Sequence, residues 1–170
     1  MKTFIWSDLH LGHANIIKYA ERPFKDVHEM DKTLIKNWRE TVGSKDKIIN
    51  LGDVYYNKSM EQITKIIKNC PGYKILIKGN HDKRSTGFYR SIGFHEVYRY
   101  PIIYDKYWIL SHNNVYINDS MPYANIHGHY HQVSFNNPKL INVSVELTDY
   151  KPVLLEDIKN KVLEQTNNFK

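Results

Sequence analysis

The stretch Lys74-Ile75-Leu76-Ile77-Lys78-Gly79-Asn80-His81-Asp82 runs from an apolar segment, which reads as a buried strand, into a cluster of metal-ligand side chains. The same juxtaposition recurs along the chain. Thr3-Phe4-Ile5-Trp6 leads into Asp8-Leu9-His10, and Lys47-Ile48-Ile49-Asn50-Leu51 into Gly52-Asp53. Tyr107-Trp108-Ile109-Leu110 leads into Ser111-His112, and Ala124-Asn125-Ile126 into Gly128-His129-Tyr130-His131. Strand ends are where a sheet assembles a site from distant parts of a sequence. Ligand clusters repeated at such ends point to a metal-dependent hydrolase.

Outward from these clusters, the connecting segments read as helices. One opens near Ala14 and ends before Pro23, because proline restricts the residue that precedes it. A second runs from about Met30 to Val42, with Met30, Leu34, Ile35 and Trp38 on one face and Gly43 as a stop. A third runs from Ser59, a candidate N-cap, to Asn69, with Ile63, Ile66 and Ile67 on one face. The strands between them are apolar throughout rather than alternating, which argues for a sheet covered on both faces. After Gly93 the chain turns rich in Tyr, Val and Ile, and Tyr104-Asp105-Lys106 reads as a hairpin turn. Strands at Ala124–His127 and Leu140–Leu147 and a helix from about Leu155 to Gln165 follow. The expected fold is α/β: two sheets stacked face to face, helices outside, and the clusters along one rim.

A chain of 170 residues suits a single domain spanning 1–170. No apolar run reaches the roughly 18 residues needed to cross a bilayer, so no membrane partner is expected. The first strand starts almost at Met1, which leaves no signal peptide, and the lone Cys70 cannot form an internal disulfide. Both features lead us to expect a cytoplasmic location. Cys70 reads as packing at a helix end. The net charge of +6 favours anionic partners, phosphate esters and nucleic acids included, but its 24 Lys and Arg are spread through the chain. The sequence leaves the oligomeric state open.

The clusters themselves carry the chemistry. Asp8 and His10 are two apart, so an extended backbone points both side chains at one metal, and His129 and His131 repeat that spacing. Gly52 lets the backbone turn and present Asp53, whose two oxygens can bridge two cations. In Gly79-Asn80-His81-Asp82, the Asn80 amide oxygen is a neutral ligand and His81 an imidazole titrating near neutrality. Asp82 stands where it can orient that imidazole. Nine histidines are present and five fall within these clusters, which weighs against coincidence. A ligand set of Asp, Asn and His without thiolate suits Mn²⁺, Fe²⁺, Zn²⁺, Co²⁺ or Ni²⁺. Seven candidates exceed the needs of one open catalytic ion. Two ions roughly 3.5–4 Å apart and sharing Asp53 use them all.

In order, the motifs are D-x-H, G-D, G-N-H-D, H and G-H-x-H, and they span nearly the whole chain. This pattern resembles the calcineurin-like metallophosphoesterase superfamily. The opening Ser7-Asp8-Leu9-His10-Leu11-Gly12-His13-Ala14-Asn15-Ile16-Ile17 is similar to that of a small bacterial and phage subgroup. So are Asn125-Ile126-His127-Gly128-His129 and Asn142-Val143-Ser144-Val145-Glu146. The resemblance implies a four-layer α/β-β/α sandwich with a binuclear site. It implies Asp8, His10, Asp53 and His131 around one ion, and Asp53, Asn80, His112 and His129 around the other. It also implies that His81, oriented by Asp82, lies beside the phosphate.

The expected reaction is in-line attack on phosphorus by a hydroxide bridging two divalent ions, Mn²⁺ foremost, with His81 protonating the departing oxygen. Asn80 also faces the substrate in this reading. His13 is either a substrate contact or a helix cap. Arg84, with Lys78 and Lys83, is either a phosphate-attracting group or a solvated charge. His127 reads as structural or as support to the ligands, and Tyr55-Tyr56 as a pair able to stack on a base. No insertion long enough to cap the site is evident. The expected substrate is a phosphate ester, a diester first, small or nucleotide-like. The alternatives are a nuclease acting on longer nucleic acid and a non-catalytic scaffold, which the complete ligand set disfavours.

Overall fold

The computed structural model describes residues 1–118 and 120–166, so residues 119 and 167–170 of the expected domain lie outside the described residues. The elements run β1 (Thr3–Trp6), α1 (Ile16–Tyr19), α2 (Val27–Thr41), β2 (Lys47–Asn50), α3 (Met60–Asn69), β3 (Tyr73–Ile77) and α4 (Thr86–Ser91). They continue with β4 (Glu96–Tyr98), β5 (Ile102–Tyr104), β6 (Trp108–Leu110), β7 (Ala124–His127), β8 (Leu140–Asn142), β9 (Val153–Leu154) and α5 (Leu155–Thr166). Two mixed sheets result, with orders β4-β3-β2-β1-β9 and β5-β6-β7-β8. They stack and are flanked by helices, as expected.

The double-sided apolar character of the strands has a direct structural counterpart. Ile5, Ile49 and Ile75 lie opposite one another in the parallel register. On that face they join Trp108, Leu110, Ala124, Ile126 and Val143 of the second sheet, with Leu155 and Val162 of α5, in one buried cluster. Phe4, Trp6, Ile48 and Leu76 take the other face and pack with Met30, Leu34 and Trp38 of α2 and Ile63 and Ile67 of α3. Trp6 and Trp38 meet edge to face at 5.4 Å, a geometry that aligns a positive ring edge with a negative face.

Several boundaries differ from the sequence reading, each for a local reason. Helix α2 starts three residues before Met30 because Asp26 caps it, its carboxylate accepting from the Glu29 N–H at 2.8 Å. Ser59 caps α3 as expected, in a reciprocal box with Gln62. Helix α1 is a single turn, and the chain reverses through Glu21 at φ 46°. The strand expected over Leu140–Leu147 stops at Asn142, whose side-chain oxygen accepts from the N–H of Ser144 at 3.0 Å and starts a 3-10 turn at Val145–Leu147. The hairpin turn is present, with Asp105 and Lys106 at φ 49° and 67°. Among the described residues, no helix is long and apolar enough to cross a membrane.

Candidate metal centre

The carboxyl ends of β1, β2, β3, β6 and β7 share one rim, and the loops leaving them carry the seven candidate ligands. These loops are not extended. Asp8, His10, Asp53, His129 and His131 all lie in the left-handed region, at φ 62°, 52°, 54°, 73° and 47°. The expected extended backbone is therefore corrected in both motifs, although Asp8 and His10 still converge on one position as expected. Such backbone is costly for non-glycine residues and persists only where surrounding contacts enforce it. The enforcement is visible: Asp8, His10 and Leu11 donate their N–H groups to the carbonyls of Gly52, Asp53 and Val54 at 3.1, 2.9 and 3.1 Å. Glycine is required where the loops touch. A Cβ on Gly79 would lie 2.2 Å from Asp53 Oδ1, and one on Gly128 would lie 2.0 Å from Ser7 Oγ.

The left-handed turns send His129 and His131 to different places. His131 joins Asp8 and His10, their ligand atoms all within 4.8 Å of one another. Its Nδ1 is 2.9 Å from Glu146 Oε1, so that nitrogen donates and Nε2 keeps the lone pair. His112 is set in the same way: Nδ1 donates to the Leu51 carbonyl at 2.8 Å, leaving the lone pair on Nε2. That lone pair faces Asn80 Oδ1 at 2.7 Å, His129 Nδ1 at 3.2 Å and Asp53 Oδ2 at 3.5 Å. Asp53 Oδ2 is also 3.5 Å from His10 Nε2, so one carboxylate oxygen stands between the two groups. With His129 Nδ1 unprotonated, these atoms are all electron-rich and repel one another unless a cation lies among them. Ligands about 2.1 Å from a cation sit about 3.0–3.4 Å from each other, and the separations here, 2.7–3.5 Å, bracket that range.

Two further observations fit the same account. The buried Asp8 Oδ1 and His10 Nε2 have no hydrogen-bond partner, an arrangement expensive for polar atoms with nothing to bind. Asp8 Oδ2, by contrast, accepts from the His129 N–H and from Ser144 Oγ, each at 2.9 Å, which fixes the direction of the free oxygen. Burial holds His10 down to about 2, against the pull of Asp8, so its imidazole is neutral and able to ligate. Burial opposes ionisation of Asp8 too, but His112 and His131 outweigh it and hold the carboxyl below its ordinary value. Burial pushes Asp53 up to about 6, the charges of Asp8 and Asp82 adding to it against the pull of His112. This crowding of carboxylates calls for positive charge.

A family model for calcineurin-like phosphoesterases matches residues 1–168. The chain belongs to that family. An uncharacterised protein of Methanocaldococcus jannaschii is 40% identical to it over 187 residues, covering 99% of this chain and 98% of that protein. The gene 66 protein of Mycobacterium phage L5 is 40% identical over 82 residues, which span 47% of this chain and 39% of the phage protein. Among solved structures, a protein of unknown function from Aquifex aeolicus superposes with a TM-score of 0.70 at 24% identity, covering 94% of this chain and 98% of that one. A nuclease from Pseudomonas putida superposes at 0.52 with 20% identity, covering 76% of this chain and 61% of that one. These two likenesses concern the fold.

In this calcineurin-like phosphoesterase, the residues expected beside the substrate are placed unevenly. His81 is exposed, its ring centroid 5.3 Å from that of His10. Asp82 does not orient the imidazole, contrary to expectation. Its buried carboxylate accepts from the N–H groups of Asp53 and Gly79 at 2.8 and 2.9 Å, and from Val54 at 3.3 Å, and so staples two ligand loops together. His13 does not cap α1. Its ring lies against His10, with Nδ1 atoms 3.5 Å apart, and stacks on Tyr56. Arg84 rests over the Phe88 ring at 5.5 Å, and none of its described contacts is to the histidines. His127 is buried, with Nδ1 on the Gly128 carbonyl at 2.9 Å and its ring against Phe135, a structural placement.

The sequence reading assigned no role to Arg22 or Glu146. Arg22 is buried, donates to the carbonyls of Asp8 and Leu9 at 2.7 and 3.0 Å, and pairs with Glu146 at 2.7 Å. Glu146 in turn holds His131. The signal was present in the Asn142–Glu146 segment, where an acid follows a strand, but nothing local ties that acid to an arginine 124 residues away.

Proposed function

We propose that this chain is a metal-dependent phosphodiesterase with two divalent cations, Mn²⁺ first and Fe²⁺, Zn²⁺, Co²⁺ or Ni²⁺ as substitutes. The family acts on phosphate esters and is metal-dependent, which supports the reaction class. The observation that carries the two-cation reading is the lone-pair convergence of His112, His129, Asn80 and Asp53 beside a second group of Asp8, His10 and His131. Asp8, His10, Asp53 and His131 would hold one cation, and Asp53, Asn80, His112 and His129 the other. When bound, such cations acidify water and offset the charge that builds on phosphoryl oxygens during in-line displacement.

The protein's own groups do the rest. His81 projects from the loop that Asp82 pins, and its ring is free to give a proton to the departing oxygen. The His81 N–H donates to Asp53 Oδ1 at 2.9 Å, so the proton donor and the shared carboxylate move as one unit. Asn80 and His81 are both exposed, which leaves room for an ester group on either side of phosphorus and favours a diester.

The test is a panel of bis(p-nitrophenyl) phosphate, p-nitrophenyl phosphate, cyclic nucleotides and single-stranded DNA, assayed with each of Mn²⁺, Fe²⁺, Zn²⁺, Co²⁺ and Ni²⁺ and with chelator. Diester hydrolysis abolished by chelation is expected. Hydrolysis of monoesters alone would overturn the diester preference, and inertness with all five cations would overturn the proposal. A polynucleotide substrate is the second reading, favoured by the net charge of +6 and marked by steep loss of binding with salt.

A further inference from the structure

Tyr55 and Tyr56 are neighbours in sequence and opposites in placement. Tyr55 turns inward to rings of α4, with Phe88 at 6.4 Å and Tyr89 at 6.4 Å. Tyr56 turns outward and is 56% exposed, although its backbone is fixed by an N–H donated to the Leu11 carbonyl at 3.0 Å. One face of Tyr56 is stacked on His13, centroids 4.2 Å apart and planes 19° apart. Its other neighbour is His81, 5.8 Å away at 68°. Beyond His13 stands Tyr19, 74% exposed, with its ring edge-on at 6.4 Å. Three rings thus form a wall that starts beside the ligand His10, 5.4 Å from His13, and opens to solvent.

From this wall we infer that the phosphodiesters cleaved here carry a nucleoside, whose base stacks on the exposed surface of Tyr56. The inference rests on the phosphodiesterase reading above and names its substrate class. A flat aromatic surface held in place by a second ring loses little entropy on binding, and base stacking is tolerant of which base is presented. A hydrophobic core would have buried such a ring. A simple alkyl ester would leave it wet. Its distance from His81 places the base within one sugar of the group assigned to the departing oxygen.

The experiment is calorimetric titration of the Mn²⁺-loaded protein with thymidine 5′-monophosphate and with methyl phosphate, which share a phosphoryl group and differ by the nucleoside. The nucleotide should bind roughly 5- to 150-fold more tightly, the range that stacking one base supplies. Tyr56→Ala should remove most of that advantage and Tyr56→Phe should keep it. Equal affinity for both probes, or an advantage that survives Tyr56→Ala, overturns the inference while leaving diester hydrolysis and its reading intact. Failure of either probe to bind, together with inertness toward bis(p-nitrophenyl) phosphate, overturns both. Competition by thymidylyl-thymidine or by a twenty-nucleotide oligothymidylate, weakened in Tyr56→Ala, supports the platform. The tighter of the two tells a dinucleotide source from a polynucleotide one.

Discussion

His81 is the residue at which catalysis and metal binding can be separated. Its side chain makes no hydrogen bond among the described residues, and its contribution to the ligand frame is a backbone N–H. His81→Ala keeps that N–H and all seven candidate ligands. Turnover of a diester should fall about 10²–10⁴-fold, the usual worth of a positioned general acid. Manganese content measured on the purified variant should match that of the parent, and loss of manganese would make His81 a ligand instead. Asp82 behaves differently, because its three N–H partners are buried or nearly so. Asp82→Ala orphans them at about 1–3 kcal/mol each at most. A lowered melting temperature should accompany any loss of activity, and an unchanged melt would contradict the staple.

Among the elements, the loops after β1 and β7 decide how well the ligands are aimed. Arg22 clamps the left-handed backbone at Asp8 and Leu9, and Glu146 couples that clamp to His131. Glu146→Ala should weaken Mn²⁺ affinity about 10–100-fold, the usual consequence of removing a partner that fixes a ligand tautomer. Glu146→Gln keeps an acceptor for His131 Nδ1 and should lose less. The check is the Mn²⁺ concentration giving half-maximal activity; equal values for Ala, Gln and parent would show that the coupling is idle. This layer was the hardest to read from sequence. The longer strands were legible because Phe4, Trp6, Ile48 and Leu76 face helices while Ile5, Ile49 and Ile75 face the other sheet, so the runs were apolar throughout. The ligand types were legible as well. The turns at Asp8, His10, His129 and His131 were hidden, because Asp and His adopt left-handed backbone more readily than most residues but here are equally accounted for as metal ligands in extended backbone. Strands β4 and β9 and helix α4 are too short for a period to show, and β9 is defined by its antiparallel partner β1 across the whole chain.

For the molecule as a whole, the candidate ligands come from both sheets: Asp8, His10, Asp53 and Asn80 from loops of the five-stranded sheet, and His112, His129 and His131 from loops of the other. Divalent cations held among them would cross-link the sandwich at its rim. They would also offset the burial, and the neighbouring carboxylate charge added to it, that pushes Asp53 up to about 6. Binding to the folded state alone stabilises it by about 2.7 kcal/mol at a free concentration one hundred times the dissociation constant. In a chain of 170 residues this corresponds to a rise of roughly 5–11 °C in melting temperature. The expected result is a melt that climbs by that amount with Mn²⁺ and returns with chelator. Asp53→Asn removes the shared charge and should abolish most of the rise, whereas Tyr56→Ala, on the outer wall, should show the full rise. A melting temperature indifferent to Mn²⁺ in the parent protein would mean that the lone pairs at the rim are arranged for something other than a metal.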